Sequence, residues 1–185
     1  MTETDEAIIE RVLSGRREDF ALLVDKYKDK VFALVIGIIK NNELAKEVAQ
    51  DAFVKTFVSL KKFRKESSFS TWIYRIAYNT AISETRKASY KNVALDERYL
   101  VNNTEINDES EIKEEEHRKL NKAISLLKSD EKLILEMYYY EEKAVKEISE
   151  ITGLGKSNVK IKLHRLRKKL RNLIEEHSGK EILLY

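Results

Sequence analysis

The chain has 185 residues, of which 42% are hydrophobic and 36% are charged, and its net charge is +3. It contains no Pro, no Cys and only five Gly. The lack of Cys excludes disulfides, thiolate metal sites and a Cys nucleophile, while so few helix breakers favour long helices over a β fold with many tight turns. No segment approaches the roughly 18 apolar residues of a membrane span, and the acidic start is unlike a secretory signal. We therefore expect an all-α, cytoplasmic protein without membrane insertion.

Charge divides the chain into three segments. Residues 1–91 carry 17 basic and 13 acidic residues, residues 92–116 carry 2 and 9, and residues 117–185 carry 16 and 10. The middle segment has few large apolar residues, so burial cannot offset the entropy lost on ordering it. We predict two small helical domains, 1–91 and 117–185, joined by a flexible acidic linker at 92–116.

The first domain contains a strongly apolar stretch, residues 20–39, which predicts one or two buried helices. Residues 43–60 then form an amphipathic helix whose apolar face consists of Ala49, Phe53, Phe57 and Leu60. The other face carries Glu43, Glu47, Gln50 and Asp51. A solvated surface and a protein-docking surface both explain this face. A metal or acid–base site would also need a His or a second carboxylate helix, which is missing, so we predict no metal and no catalytic residue.

A basic, Ser-rich segment with two phenylalanines, residues 61–71, precedes a helix that begins near Trp72. One face of that helix carries Arg75, Asn79, Ser83 and Arg86 at helical spacing. Rings can stack on unpaired bases while cations hold phosphates, so this pattern suits single-stranded nucleic acid. A core Trp beside a solvated polar face explains the pattern equally well, and both interpretations stay open here.

The second domain has the pattern of a helix-turn-helix. Ser129 or Asp130 can cap a first helix, residues 144–152 predict the next, and Gly153 stands where a left-handed residue ends a helix. The following helix carries an apolar stripe at 4-3-4-3 spacing, made of Val159, Leu163, Leu166, Leu170 and Leu173. Residues 156–171 include eight basic residues and no acidic one. This pattern favours a helix that binds in the major groove of DNA. A face that is merely solvated would be expected to carry mixed charges, which form stabilising pairs.

Three stretches, at residues 47–57, 69–82 and 159–170, together resemble the extracytoplasmic-function sigma factors of bacterial RNA polymerase. The resemblance covers about residues 19–173 and implies two helical domains, called sigma-two and sigma-four. It implies that the chain is a sigma factor, which binds core polymerase and directs promoter-specific initiation of transcription. It also implies that the chain is not an enzyme and needs no cofactor. The implied partners are core RNA polymerase, promoter DNA in duplex and single-stranded form, and an anti-sigma factor. The free chain is expected to be a monomer.

The resemblance also implies site residues in three groups. The group that docks on polymerase comprises Glu47, Gln50, Asp51 and Lys55. The group that recognises and melts the minus-ten element comprises Phe63, Arg64, Lys65, Phe69, Trp72, Arg75 and Asn79. The group that reads the minus-thirty-five element as duplex comprises Ser157, Asn158, Lys160, Ile161, Lys162, His164, Arg165 and Lys168.

Some positions depart from the family pattern. Ser83 stands where members often have Asp, Lys128 where they usually have Pro, and Ala144 where a capping Ser is frequent. Ile161 lies near a usual Ser, and its apolar side chain favours a thymine methyl over a hydrogen-bonded base edge. The promoter sequence therefore stays open.

Two other classes of function compete with the sigma factor. An ordinary helix-turn-helix regulator would dimerise, because two half-sites are read by two-fold symmetry. An enzyme would use Glu43, Glu47 and Asp51 and would require a divalent metal. A sigma factor instead binds promoters strongly only together with core polymerase.

Overall fold

The computed structural model describes residues 3–90 and 111–179. Within these ranges every regular element is a helix, which confirms the predicted fold class. Most of the predicted linker lies outside the described residues, although residues 111–116, which we expected in it, form the first turns of a helix. Among the described helices, none is long and apolar enough to cross a membrane.

The described residues form eight α-helices, four before the predicted linker and four that begin at its end. The first four are α1 (Asp5–Leu13), α2 (Phe20–Ile39), α3 (Asn42–Ser59) and α4 (Phe69–Tyr90). The second four are α5 (Glu111–Ser125), α6 (Ser129–Leu135), α7 (Val145–Thr152) and α8 (Lys156–Gly179). A π-helical turn, Glu136–Tyr140, follows α6.

Helices α2, α3 and α4 pack together and form the core of the first domain. The apolar stretch is a single helix, α2, which ends at Lys40 in the left-handed conformation. Asn41 then caps α3, because its side chain accepts a hydrogen bond from the Leu44 amide at 3.0 Å. The chain thus turns sharply between two long helices and places α3 against α2.

The buried face of α3 matches the predicted one in part: Ala49 and Leu60 are buried and Phe53 is half-buried, but Phe57 is not. Small residues line it, namely Ala45, Val48, Ala49, Ala52 and Thr56. Phe57 is instead exposed at the edge of the helix, where its ring meets Phe20 edge-on at 5.0 Å between centroids. Close approach of three helices requires small side chains at the contact, so the rings lie at its margin.

The second domain contains the predicted helix-turn-helix. Gly153 ends α7 with φ +73, and α8 buries Val159, Leu163 and Leu166 against the core. The prediction for the start of α6 was wrong. Lys128, and neither Ser129 nor Asp130, is the N-cap residue, and its backbone amide donates to Glu131 Oε2 at 2.9 Å.

The two domains contact each other directly. Helix α7 packs on α4, and α6 packs on α2. Tyr74 of α4 donates a hydrogen bond across the boundary to Glu141 Oε2 at 2.9 Å. The second domain therefore lies against the start of α4, where the predicted minus-ten residues begin.

Candidate nucleic-acid interface

Three of the predicted minus-ten residues, Phe63, Phe69 and Trp72, form an aromatic cluster at the start of α4. Their ring centroids lie 5.2–5.9 Å apart. Phe69 also packs on Tyr27 at 5.6 Å and is 1% exposed, so in this conformation its ring belongs to the core. Phe63 and Trp72 are half-buried. Phe69 therefore supports two rings that keep part of their surface available for stacking.

Polar residues continue from the aromatic cluster along α4. Arg75 and Asn79 are exposed and lie one helical turn apart. Ser83 and Arg86 extend the same exposed face. The face thus joins partly accessible rings to a cation and an amide, which together can stack bases, hold phosphate and bond a base edge.

The loop before α4 supplies the two remaining predicted minus-ten cations, Arg64 and Lys65, and both are exposed. Lys65 Nζ lies 2.8 Å from Glu10 Oε1. This hydrogen bond holds the pKa of the Glu10 carboxyl below its ordinary value. Both groups are solvent-exposed, so the pair is weak and leaves Lys65 able to move to a phosphate.

The predicted polymerase-docking residues all lie on the exposed surface of α3. Glu47, Gln50, Asp51 and Lys55 are exposed. The same surface continues into two residues that the sequence reasoning did not select, Val54 and Val58, which are 61% and 76% exposed. Their i, i+4 spacing on an otherwise polar face was the available signal. An acidic and apolar surface of this kind suits a protein partner better than a polyanion.

A shallow groove of about 510 Å³ connects this α3 surface to α4. It is lined by Val54, Lys55, Val58, Ser59, Ile76, Asn79, Thr80 and Ser83. Lys55 Nζ lies 3.3 Å from Thr80 Oγ1 across it. The predicted docking and minus-ten residues are therefore neighbours, separated only by this groove.

Helix α8 exposes seven of the eight predicted minus-thirty-five residues. The exception is the half-buried Lys162, whose Nζ lies 3.1 Å from Asp130 Oδ2 of α6. The sequence reasoning did not detect this pair, because the two residues are far apart in the chain. Lys162 is thus paired with a residue of the same domain, whereas Lys160 and Lys168 are exposed to solvent.

A second ion pair joins the same two helices. Lys169 Nζ lies 2.7 Å from Glu131 Oε2. Burial raises the pKa of the Glu131 carboxyl, but the hydrogen bonds from Lys169 and from the Lys128 amide outweigh it, so that pKa lies below its ordinary value. Two basic residues of the charged helix are therefore paired with carboxylates of α6.

No group of His, Cys, Asp and Glu side chains in the described part of the chain is arranged to hold a metal ion. The acidic residues of α3 lie along a single exposed helix face. They lie on an open surface and not in an enclosed pocket.

Comparisons with known proteins find matches to both helical domains. The family model for sigma-70 region 2 matches residues 23–90, and that for sigma-70 region 4 matches residues 117–170. An ECF RNA polymerase sigma-E factor of Haemophilus influenzae is 32% identical over 183 residues, covering 93% of this chain and 96% of the relative. The ECF RNA polymerase sigma factor SigW of Bacillus subtilis is 29% identical over 180 residues, covering 89% and 96%.

Two solved structures share the fold. Sigma factor RpoE of Bartonella quintana, in complex with the anti-sigma factor NepR, has a TM-score of 0.68 at 17% identity, covering 85% of this chain and 98% of that one. CnrH, in complex with the cytosolic domain of CnrY, has a TM-score of 0.65 at 18% identity, covering 94% and 99%. At these identities the likeness concerns the fold alone.

Proposed function

The chain belongs to the extracytoplasmic-function sigma factors of bacterial RNA polymerase, and from this premise we propose how its parts divide the work of initiation. The sigma-two domain, residues 1–91, docks on core polymerase and melts the minus-ten element. The sigma-four domain, residues 117–185, reads the minus-thirty-five element. The acidic segment between them lets one chain reach both elements.

The observation that carries this proposal is the exposed face of α4. Half-buried Trp72 and Phe63 lie beside exposed Arg75 and Asn79. Cations alone would explain binding to duplex DNA, but partly accessible rings beside an amide also suit unpaired bases. Opening DNA without ATP chemistry requires that unstacked bases find new partners, and this face offers stacking, phosphate contact and hydrogen bonding together.

The minus-thirty-five assignment rests on α8. Its exposed residues follow the turn at Gly153, in the position where a helix-turn-helix presents its second helix to the major groove. Arg165 can form a bidentate contact with guanine, and Ile161, 47% exposed, can meet a thymine methyl. Exposed Lys160 and Lys168 supply phosphate contacts.

Core polymerase binds the α3 surface formed by Glu47, Gln50, Asp51 and Lys55, extended by Val54 and Val58. An anti-sigma factor is a further partner, supported by the solved structure of RpoE, whose complex includes one. The chain acts in the cytoplasm, where polymerase and promoter DNA meet, and is a monomer when free.

Run-off transcription tests the function directly. Core polymerase with this chain should produce a discrete transcript from its promoter, and core polymerase alone should not. A helix-turn-helix regulator would leave promoter selection by core polymerase unchanged. Absence of any chain-dependent transcript across a library of genomic promoter fragments would overturn the proposal.

A further inference from the structure

The groove between α3 and α4 contains a single charged side chain. Among the eight described residues that line it, Lys55 is the only cation and none is acidic. Three of the others are apolar, namely Val54, Val58 and Ile76, and the rest are neutral and polar. The residues of the groove therefore carry a net positive charge, although the neighbouring exposed face of α3 is acidic.

Lys55 reaches across this groove instead of pairing along its own helix. Asp51 lies four residues earlier, at a spacing that suits an ion pair on a helix, yet Lys55 Nζ donates a hydrogen bond to Thr80 Oγ1 of α4 at 3.3 Å. Within residues 3–90 and 111–179, Lys55 has no ion-pair partner. By contrast, Lys46 Nζ of the same helix lies 3.0 Å from Glu43 Oε1. The charge of Lys55 is thus left uncompensated at the groove.

The hydrogen bond to Thr80 positions the amino group of Lys55 and leaves it able to bind a second acceptor. The Thr80 hydroxyl donates its own proton to the Ile76 carbonyl at 2.8 Å, so toward Lys55 it can only accept. A lysine ammonium has three donors, and the neutral hydroxyl uses one of them at a distance slightly longer than usual. Two donors therefore remain for an anion that enters the groove.

Ser83 keeps the groove free of negative charge. It stands three residues after Thr80, on the same side of α4, and its hydroxyl donates to the Asn79 carbonyl at 2.8 Å. Members of the family often have Asp at this position. A carboxylate there would lie within reach of Lys55 and pair with it, whereas the serine leaves the lysine available. The serine therefore gives this chain a cationic groove where an aspartate would give a neutral one.

A backbone phosphate of unpaired DNA is the anion that fits this groove. Asn79, the residue proposed to bond a flipped base, lines the same groove as Lys55, and Arg75 is exposed one turn before it. A base held by Asn79 brings its sugar and phosphate to the neighbouring surface. The two valines and Ile76 can contact the sugar while Lys55 binds the phosphate, as cations do in channels that hold single strands. The groove thus offers the apolar and cationic parts of a single-strand site beside the amide of Asn79.

We propose that Lys55 binds a backbone phosphate of the unpaired minus-ten strand in the groove between α3 and α4, and that Ser83 leaves the lysine free to do so. This inference rests on the proposed function of α4 and adds to it a strand-positioning residue on α3. Phosphate contacts fix the register of a strand without reading its sequence. Lys55 therefore determines how firmly the strand is held next to Asn79, and the docking surface and the DNA-binding face share this lysine at their boundary.

The test measures binding of a fluorescent single-stranded oligonucleotide to the purified polymerase–chain complex, so that weaker docking of a variant does not enter the result. The oligonucleotide carries the non-template minus-ten strand of a promoter active in run-off transcription. Lys55→Gln removes the charge and Lys55→Arg keeps it. Lys46→Gln is the matched control, because Lys46 is an exposed lysine of α3 that lies about two and a half turns earlier and hence on the opposite side of the helix.

Lys55→Gln should make the slope of log affinity against log salt about 0.7 shallower, which is the contribution of one phosphate on a single strand. Lys55→Arg and Lys46→Gln should keep the wild-type slope. Ser83→Asp, which supplies a competing carboxylate, should make the slope shallower like Lys55→Gln, whereas Ser83→Ala should not. A neutral methylphosphonate can also be placed at each linkage of the strand in turn. At one linkage, the weakening seen with wild type should be absent with Lys55→Gln.

Three results would overturn the inference in distinguishable ways. A wild-type slope for Lys55→Gln, with run-off transcription intact, would show that Lys55 binds no phosphate and would leave the proposed function standing. Equal loss with Lys55→Gln and Lys46→Gln would mean a general attraction between α3 and DNA, without a site in the groove. A wild-type complex that neither binds the oligonucleotide nor gives a transcript would contradict the assignment of α4, and the inference with it.

Discussion

Asn79 is the residue on which the melting assignment depends most directly. It is exposed one turn beyond Arg75 and lines the groove toward α3. Its amide can donate to and accept from a flipped base. We expect Asn79→Ala to leave closed-complex formation nearly intact but to impair melting, measured as permanganate reactivity of minus-ten thymines.

The control for Asn79→Ala is Asn42→Ala, the same change at an exposed position at the start of α3, outside the three proposed groups of site residues. A pre-melted bubble template should restore transcription by the Asn79 variant, because the bases are already unstacked. Equal loss on duplex and pre-melted templates, caused by weaker polymerase binding, would contradict the melting role.

Glu136 is an acidic residue whose burial lowers the stability of the fold at neutral pH. Burial, and then the neighbouring Glu141 carboxylate, raise the pKa of Glu136 above its ordinary value. A raised carboxyl pKa means that ionised Glu136 destabilises the fold at neutral pH. We expect Glu136→Gln to raise the Tm at pH 7, with a gain that shrinks as the pH falls and the wild-type carboxyl takes up a proton.

Exposed Glu142 provides the matched control for this prediction. Thermal unfolding of Glu142→Gln should follow wild type across the same pH range. A gain from Glu136→Gln that stayed constant down to pH 4 would mean that packing, and not charge, explains the change.

At the scale of the element, α3 separates docking from DNA reading. Asp51 is exposed at the middle of its acidic face. Reversing its charge by Asp51→Lys should weaken binding to core polymerase, while the free energy of unfolding changes by less than about 0.5 kcal/mol. Fluorescence anisotropy with core enzyme measures the first effect and chemical denaturation the second.

Asp29→Lys makes the same charge change at an exposed position of α2 and serves as the control. It should bind polymerase like wild type. Normal polymerase binding by a folded Asp51→Lys chain would remove α3 from the docking surface.

The lysines of α8 should contribute unequally to the salt dependence of DNA binding, because one of them is held in an ion pair. Each phosphate contact contributes roughly −0.9 to the slope of log affinity against log salt. Lys160→Ala and Lys168→Ala should each make that slope about 0.9 shallower for the polymerase–chain complex on promoter DNA. Lys162→Ala should change it much less, because Lys162 pairs with Asp130. Equal effects of all three would mean that Lys162 leaves its partner to bind phosphate.

Arg165 of the same helix should behave differently from these lysines. If it reads a base, Arg165→Ala should cost on the order of 1–3 kcal/mol of binding to its own promoter and relax specificity at one position. Competition assays against single-base variants of the minus-thirty-five element measure this. Equal loss on every upstream sequence would make Arg165 a phosphate contact.

At the scale of the whole molecule, oligomeric state separates the proposed function from a regulator. A regulator that reads two half-sites needs a symmetric dimer, whereas a sigma factor supplies two different DNA-reading domains in one chain. Sedimentation at micromolar concentration should give a monomer of 21.7 kDa. A stable dimer that binds promoter DNA without polymerase would favour the regulator.

Local patterns predicted much of this protein because their causes are local. The scarcity of Gly and Pro predicted helices, the 4-3-4-3 stripe predicted the buried side of α8, and Gly153 predicted the turn before it. Helical spacing likewise placed Arg75 and Asn79 on one exposed face. Each of these depends on residues within a few turns of one another, where backbone geometry decides which side chains share a face.

Tertiary structure decided what depends on residues distant in the chain. It buried Phe69 against Tyr27, left Phe57 at the edge of α3 and paired Lys162 with Asp130. It also brought Lys143 and Glu147 onto the start of α4, although more than 70 residues separate them from Ser70 and Thr71. Helical periodicity gives the direction of a side chain but not its partner, because the partner is set by the packing of helices whose contacts no local pattern encodes.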